Sequence, residues 1–391
     1  MLNQKVRQYW QRLSPLIKVQ SSNWSWEARL LSWLTGIWLF VGLITLLSAS
    51  YAEGVIEHNN GYYTLLRQLI GVVIGWIGFR IAVSQPLRQT FKFCPGIILL
   101  LLVLIFLTSV PGIGTEVYGA KRWIAIGSVS VQPSELIKPF LVMQSAYIFA
   151  KWQQLTGKFR SIWLGVFALV LLGILIQPDL STSSLCAMSL GLIAVSAELP
   201  WIQLLAVSFG SVALAVISLK PYQKDRIIFF LDPWQDYHGK GYQLIQSLLA
   251  IASGGWSGLG LGLSQQKLSY LPIRTTDFIF AVYAEEFGFI GCILLLLLIL
   301  IYGTIALRVA FKCVNRIPRL VAIGAMVFLV GQSLINIGVA TGSLPTTGLP
   351  LPFFSYGINS IIASFLLAGL LVRVARETSQ APVVKLKVSQ Q

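Results

Sequence analysis

The sequence is short of charge. Only 11% of its 391 residues are Asp, Glu, Lys or Arg, against about a quarter in soluble domains. Acids are scarcer than bases, 14 against 29, and there are two histidines and four cysteines. Cys94, Cys186, Cys292 and Cys313 fall in or beside apolar runs without paired spacing. That argues against a disulfide framework or a metal site and leaves them as packing residues. The first 29 residues are polar, so no cleavable leader is expected and the first apolar run is expected to act as the insertion signal. Apolar residues make up 55% of the chain, in repeated runs of roughly membrane-spanning length. They argue against a soluble protein with one large core and predict an all-α polytopic membrane protein of about ten transmembrane helices. The net charge of +15 would suggest nucleic acid in a soluble protein, but here the positive-inside rule explains most of it, and no nucleic-acid partner is expected.

Spans are predicted near 30–50, 62–83, 95–110, 131–150, 161–177 and 180–197, with a seventh ending near Leu219, then near 277–307, 320–340 and 353–372. This divides the chain into a basic N-terminal tail (1–29), a transmembrane domain (30–372) with a large outer loop at 220–276 between spans 7 and 8, and a polar tail (373–391). Glu53, Glu57 and His58 are assigned to one short loop, Arg88 and Lys92 to another, and 111–130 and 341–352 to outer loops. An even number of spans puts both termini on one side. That side gathers most of the 29 basic residues, in the tails and near 80–94, 151–160 and 308–319, and is expected to be cytoplasmic. Of the remaining bases, Arg67, Lys121, Arg122, Lys138, Lys220, Lys224, Arg226, Lys240, Lys267 and Arg274, nearly all are expected on or near the outer side. A cationic vestibule for an anionic substrate is one explanation.

Asp277 stands where a polar loop turns into an apolar helix. One reading is helix-start chemistry, an acid favoured by the dipole with Thr275 or Thr276 as cap; the other is a catalytic carboxylate. Glu285 and Glu286 lie about two turns deeper, where acids mark a polar pathway or a buried ion pair. Glu135 and Lys138 are spaced to neutralise each other on a helix. Asp179 after Pro178 ends or starts a helix. Lys121-Arg122-Trp123 reads either as interfacial snorkelling or as a phosphate clamp. Gly239–Gly241 and Gly254–Gly260 lack the lysine placement of a nucleotide loop, so no nucleotide site is expected, and the second run reads as a flexible turn.

The combination of motifs resembles the SEDS family (shape, elongation, division and sporulation), typified by FtsW and RodA. The matching pieces are Gly119–Ile124, Gln132–Glu135 with Lys138, Pro178-Asp179, Gly241–Leu244, Leu271-Pro272, Thr276–Ala281, Glu285–Gly288 and Pro345–Gly357, in the family's order across about residues 65–372. The last run is nearer the division-type branch than the elongation type. Two places depart from the pattern: Ile273-Arg274 stands where a Glu and a His usually precede the Thr-Asp, and Gly357-Ile358-Asn359-Ser360 stands for Gly-Gly-Ser-Ser.

The resemblance implies a peptidoglycan glycosyltransferase in a bacterial plasma membrane, at the division septum. It would polymerise lipid II at the outer face beside a class B penicillin-binding protein and other divisome membrane proteins. Converting an α-linked pyrophosphate into a β-linked polymer needs one in-line displacement, one base and positive charge for the leaving group. On this reading Asp277 is the base. Lys121, Arg122, Trp123, Lys224, Arg226, Lys240, Tyr242, Gln243, Lys267 and Ser355 are candidate substrate contacts. Arg67, Glu135, Lys138, Asp179, Glu285 and Glu286 form a polar network. A divalent cation, Mg or Mn, is a candidate helper with no ligand set assigned. The competing expectations are a lipid II flippase, in which Glu135, Lys138 and Glu285 line a path, and a non-catalytic scaffold.

Overall fold

Apolar runs with few breakers fold as long helices because a backbone in lipid must satisfy its own hydrogen bonds. The computed structural model describes residues 24–117, 120–127, 129–201, 226, 228–239, 241–268 and 271–380. The seventh span, Lys220, Lys224, Lys240 and most of both tails lie outside the described residues. The helices are α1 (Trp26–His58), α2 (Tyr63–Ser84), α3 (Leu87–Leu107), α4 (Pro133–Ala150), α5 (Gly157–Ile176), α6 (Leu180–Ser196), α7 (Tyr242–Ser253), α8 (Ile279–Lys312), α9 (Arg316–Ala340) and α10 (Ile358–Gln380).

Among the described residues seven of these, α1, α2, α3, α5, α8, α9 and α10, are long and apolar enough to cross a membrane. The chain is a multi-pass membrane protein. The expectation of ten included α4 and α6. α6 is a shorter apolar helix, and α4 carries Glu135, Lys138 and Gln144 with Pro139 inside it, and is buried along most of its length. Side chains set the helix starts: Ser25 accepts from the Ala28 amide, Thr156 from Phe159 and Asp179 from Thr182.

Two expected loops are helical. Glu53, Glu57 and His58 belong to the last turns of α1, which ends only where Asn59 turns left-handed and its amide closes on Gly54. Arg88 and Lys92 ride on the first turns of α3, after Pro86. The expected outer loop at 111–130 instead holds a three-stranded antiparallel sheet, β1 (Gly114–Val117), β2 (Ala120–Ile126) and β3 (Val129–Val131), with Thr115 opposite Trp123 and Ala125 opposite Ser130.

α2 and α10 pack closely because Gly71 and Gly75 present no side chain: a methyl at Gly75 would lie 2.5 Å from the Phe365 ring. At the bundle centre Trp38 meets Tyr302 and Phe353, and Phe353 meets Phe365, at centroid distances of 5.4–5.5 Å. One end of the bundle is basic and aromatic. Arg308 lies over Trp26, Arg376 over Trp24 and Arg160 over Trp152, and Lys312 pairs with Glu27. The end of α1, the start of α2, the sheet and the start of α8 meet at the other end.

α8 is interrupted at Gly288 (φ 64°, ψ −167°), a conformation that favours glycine. The Phe289 and Ile290 amides donate to Gly255 and Trp256, while Leu259 and Gly260 donate to the Glu285 and Glu286 carbonyls. The run 254–260 is therefore a docked backbone segment that replaces the missing helical bonds. This corrects its reading as a flexible turn. A methyl at Gly258 would lie 2.1 Å from the Glu286 carbonyl oxygen, so only glycine fits there.

Candidate active site

A cavity of about 990 Å³ opens at the end of the bundle away from the basic, aromatic belt. Its wall includes the end of α1, the start of α2, β2, the starts of α4 and α6, Arg226, residues 273–277 and 345–350, and the start of α10. Ligand sites in membrane bundles are built at such converging irregular segments, where polar backbone lines a cavity.

Asp277 lies half-buried in this wall. It does not cap α8: the capping position is Phe278, and no side chain closes that end. The residue is held by its neighbours instead. Asn336 donates to the Asp277 carbonyl (2.9 Å) and to Leu349 (2.8 Å), the Ser355 hydroxyl donates to the Thr276 carbonyl (2.6 Å), and the Tyr356 amide donates to Thr275 (2.8 Å). The carboxylate faces the Thr346–Gly348 segment, since a methyl at Gly348 would lie 3.8 Å from its Oδ2. Burial pushes its pKa up to about 6, against the pull of Arg226, the Thr276 hydroxyl and Arg122, with Asp179 adding to the rise. At neutral pH it is an ionised carboxylate with more basicity than an exposed aspartate.

Arg122 shares the wall with a fixed guanidinium. It donates to the Gln177 (3.1 Å) and Pro178 (2.6 Å) carbonyls and pairs with Asp179 at 3.3 Å. A guanidinium has five donors, so this grip leaves capacity for an anion. Arg226 donates to the Thr346 carbonyl and also lines the cavity, as do Trp123 and Arg67.

The other expected site residues divide between the lining, where Glu135 and Asp179 stand, and the protein around it. Lys121 is exposed and outside the lining. Lys267 is buried, with its ammonium on Glu286 (2.7 Å) and Ser48 (2.8 Å), so it is an internal ion-pair member and no substrate contact. Tyr242 and Gln243 begin α7 away from the lining. Ser355 is buried and holds Thr276 and the Leu351 amide. Glu135 lines the cavity and pairs with Lys138 at 2.5 Å. Lys138 also reaches Gln332, which donates to the Pro350 carbonyl. Asp179 caps α6 and holds Arg122. Glu285 and Glu286 are buried off the lining. Lys224 and Lys240 lie outside the described residues.

Several contributors were not singled out from the sequence. Asn336 is one; Gln68, which donates to the Ser355 carbonyl and accepts from Gly357, is another. Their signal was present: an amide side chain in an apolar span is rarely idle. The two departures from the family pattern also have partners. Arg274 pairs with Glu53 (3.2 Å) and donates to the Ala49 carbonyl, and Asn359 donates to Ser130 of β3 (2.9 Å).

Comparison with known proteins agrees with this picture. The FtsW/RodA/SpoVE family model, described as cell cycle protein, matches residues 28–380. A probable peptidoglycan glycosyltransferase FtsW of Synechocystis is 51% identical over 374 residues, 95% of each chain. A putative one of Cyanophora paradoxa is 48% identical, over 91% of this chain and 90% of its own. Among solved structures, a chain from work on structural coordination of polymerization and crosslinking by a peptidoglycan synthase complex superposes with TM-score 0.73 at 30% identity, covering 92% of this chain and 99% of that one. The rod shape determining protein RodA of Thermus thermophilus gives 0.66 at 25% identity, over 91% and 98%.

Proposed function

The chain belongs to the FtsW/RodA/SpoVE family of cell cycle proteins, and from that membership we propose that it is a peptidoglycan glycosyltransferase that polymerises lipid II in the cavity around Asp277. The observation that carries the reading is one basic carboxylate sharing a single cavity wall with the guanidinium groups of Arg122 and Arg226. In the reaction an acceptor hydroxyl forms a bond to the anomeric carbon of the donor. The bond from that carbon to the phosphate oxygen breaks, with inversion. The hydroxyl proton passes to Asp277, and undecaprenyl pyrophosphate leaves with the electron pair, its charge met by Arg122 and Arg226. A second carboxylic acid is unnecessary because pyrophosphate is already a good leaving group. The rise in the Asp277 pKa supports the base role, since a carboxylate near 3.9 is a weak base.

A dedicated divalent-cation site does not fit the described residues: among them no group of three or more His, Cys, Asp or Glu could hold a metal. A Mg or Mn ion would then be shared between the pyrophosphate oxygens and one or two of the cavity carboxylates.

The named relatives favour the division branch, hence a septal location. A class B penicillin-binding protein is the expected partner, in line with the synthase complex whose chain this one resembles. The basic, aromatic end of the bundle would face the cytoplasm with both termini, and the cavity the outer leaflet. A flippase path through Glu135, Lys138 and Glu285 finds less support: Glu135 lines the cavity but is paired with Lys138, and Lys138 and Glu285 are closed into intramolecular bonds off the lining.

The test is glycan polymerisation from purified lipid II by the full chain reconstituted with its partner, wild type against Asp277→Asn, with lipid II binding measured in parallel. The proposal expects a variant that binds and makes no polymer. Polymer at the wild-type rate would return Asp277 to a structural role.

A further inference from the structure

Between Ser264 and Glu286 the chain makes a closed excursion with Asp277 within it. The two ends of this loop are tied to each other by buried polar groups. The Glu285 carboxylate accepts from the Ser264 hydroxyl (2.5 Å) and the Gln265 amide (2.9 Å), with the Gln266 amide at 3.4 Å. One residue along on each side, the Lys267 ammonium pairs with Glu286 at 2.7 Å. Ser48 of α1 completes the group, accepting from Lys267 (2.8 Å) and donating to Glu286 (2.5 Å). Glu285 and Glu286 are each 1% exposed and Lys267 is 5% exposed. None of these five side chains lines the cavity.

Stability alone is a poor account of this cluster. Burying two carboxylates and an ammonium carries a desolvation penalty that well-packed apolar residues avoid. What it does supply is register. A carboxylate that takes two or three donors from a neighbouring segment fixes where that segment sits, and an ion pair beside it fixes the adjacent turn. The break at Gly288 makes such fixing necessary. Because Phe289 and Ile290 donate to residues 255 and 256, the short helical piece Ile279–Phe287 lacks the two helical bonds those amides would make to it, and the Tyr283 hydroxyl bridges the break to the Gly291 carbonyl (2.8 Å). Its position is set by what it docks against, and the piece leads directly from Asp277.

We propose that Glu285, Glu286, Lys267 and Ser48 are positioning residues of the polymerisation reaction: they close the neck of the 264–286 loop and so hold Asp277 at the cavity wall. The inference rests on the reading of Asp277 as the base. It assigns the deep acids to catalysis without contact with substrate. It also assigns Lys267 to Asp277's placement and not to phosphate.

The experiment compares Lys267→Glu, Glu286→Lys and the double swap in the full chain reconstituted with its partner, using lipid II. It reads kcat and KM separately, with amide hydrogen exchange over 264–278. Each single reversal puts like charges in the neck. It should lower kcat by about 10²-fold, the size expected for a misplaced catalytic group, with KM little changed and exchange across 271–278 accelerated. The swap restores opposite charges and should recover most of kcat. Where a single reversal does not fold, Ser264→Ala and Ser48→Ala, which remove only neutral partners, should show a smaller drop of the same kind. Folded variants with wild-type kcat and exchange, or a folded swap as inactive as the singles, overturn the proposal. Asp277→Asn runs alongside. Polymer from it defeats the base assignment and the neck together, whereas an inactive Asp277→Asn beside fully active neck variants defeats the neck alone.

Discussion

Asn336 holds Asp277 by the backbone. Its amide group donates to the Asp277 carbonyl at 2.9 Å and to the Leu349 carbonyl at 2.8 Å, so one buried side chain on α9 joins the aspartate to the segment it faces. A π turn at Val327–Gly331 precedes it, and beyond that turn Gln332 and Asn336 both meet the 349–350 backbone. Replacing Asn336 with Leu leaves two buried carbonyls without their donor, a cost of about 1–3 kcal/mol. The expected result is a lower melting temperature together with a fall in kcat larger than any rise in KM. Unchanged turnover in a folded Asn336→Leu would show that the carbonyl clasp does not place the carboxylate.

The raised pKa of Asp277 makes the rate depend on pH with a defined sign. Burial favours the protonated form and sets the midpoint near 6. A general base works only when deprotonated, so kcat/KM should climb about tenfold per pH unit below the midpoint and level off above it. Arg226 stabilises the ionised form. Arg226→Gln should therefore move the midpoint to higher pH, and Arg226→Lys should largely keep it. A profile that is flat between pH 5 and 7, or a midpoint that moves down on loss of Arg226, is incompatible with Asp277 as the titrating base.

Much of this was readable beforehand. The spans announce themselves because lipid demands continuous apolar helices, and Asp277, Arg122 and Glu135 stood out as charges in a chain with few. The sheet at 114–131 was not readable, because strands of three to seven residues give too short an alternation beside Gly and Lys. Lys267 was misplaced for a related reason. Sequence gives its type and its loop, while its partner Glu286 comes from a helix that the chain reaches only after turning back. Asn336 and Gln68 act through their amides on backbone groups, and no spacing rule foretells a contact made across 59 or 287 residues.

The break in α8 is a strict steric requirement. At Gly288 a methyl would lie 2.2 Å from the Gly258 amide nitrogen, and the backbone is left-handed there. Gly288→Ala should destabilise the protein by roughly 3 kcal/mol or more, or prevent its folding, because neither neighbouring group is a movable side chain. Gly36→Ala is the matched control. It sits in α1 with nothing within 4 Å of the added methyl, and should be neutral or stabilising by up to about 1 kcal/mol through helix propensity. Thermal unfolding in one detergent, read side by side, decides the point. Equal melting temperatures for the two would mean that the 254–260 segment is not docked at the break.

Asn359 ties two parts of the cavity wall together. Its amide donates from the first turn of α10 to the Ser130 carbonyl of β3, and β3 pairs with the strand that carries Arg122. The sheet is gripped on its other side by the bonds of Arg122 to residues 177–179, so Asn359 is the weaker of two pins. Asn359→Ala removes one neutral hydrogen bond, about 1 kcal/mol. If that bond steadies Arg122 against the pyrophosphate, KM for lipid II should rise about fivefold with kcat nearly constant, while Asp179→Asn, which loosens the stronger pin, should do more. A fall in kcat at constant KM would place the effect on Asp277 instead. No change in either constant would mean that the Arg122 grip alone holds the sheet.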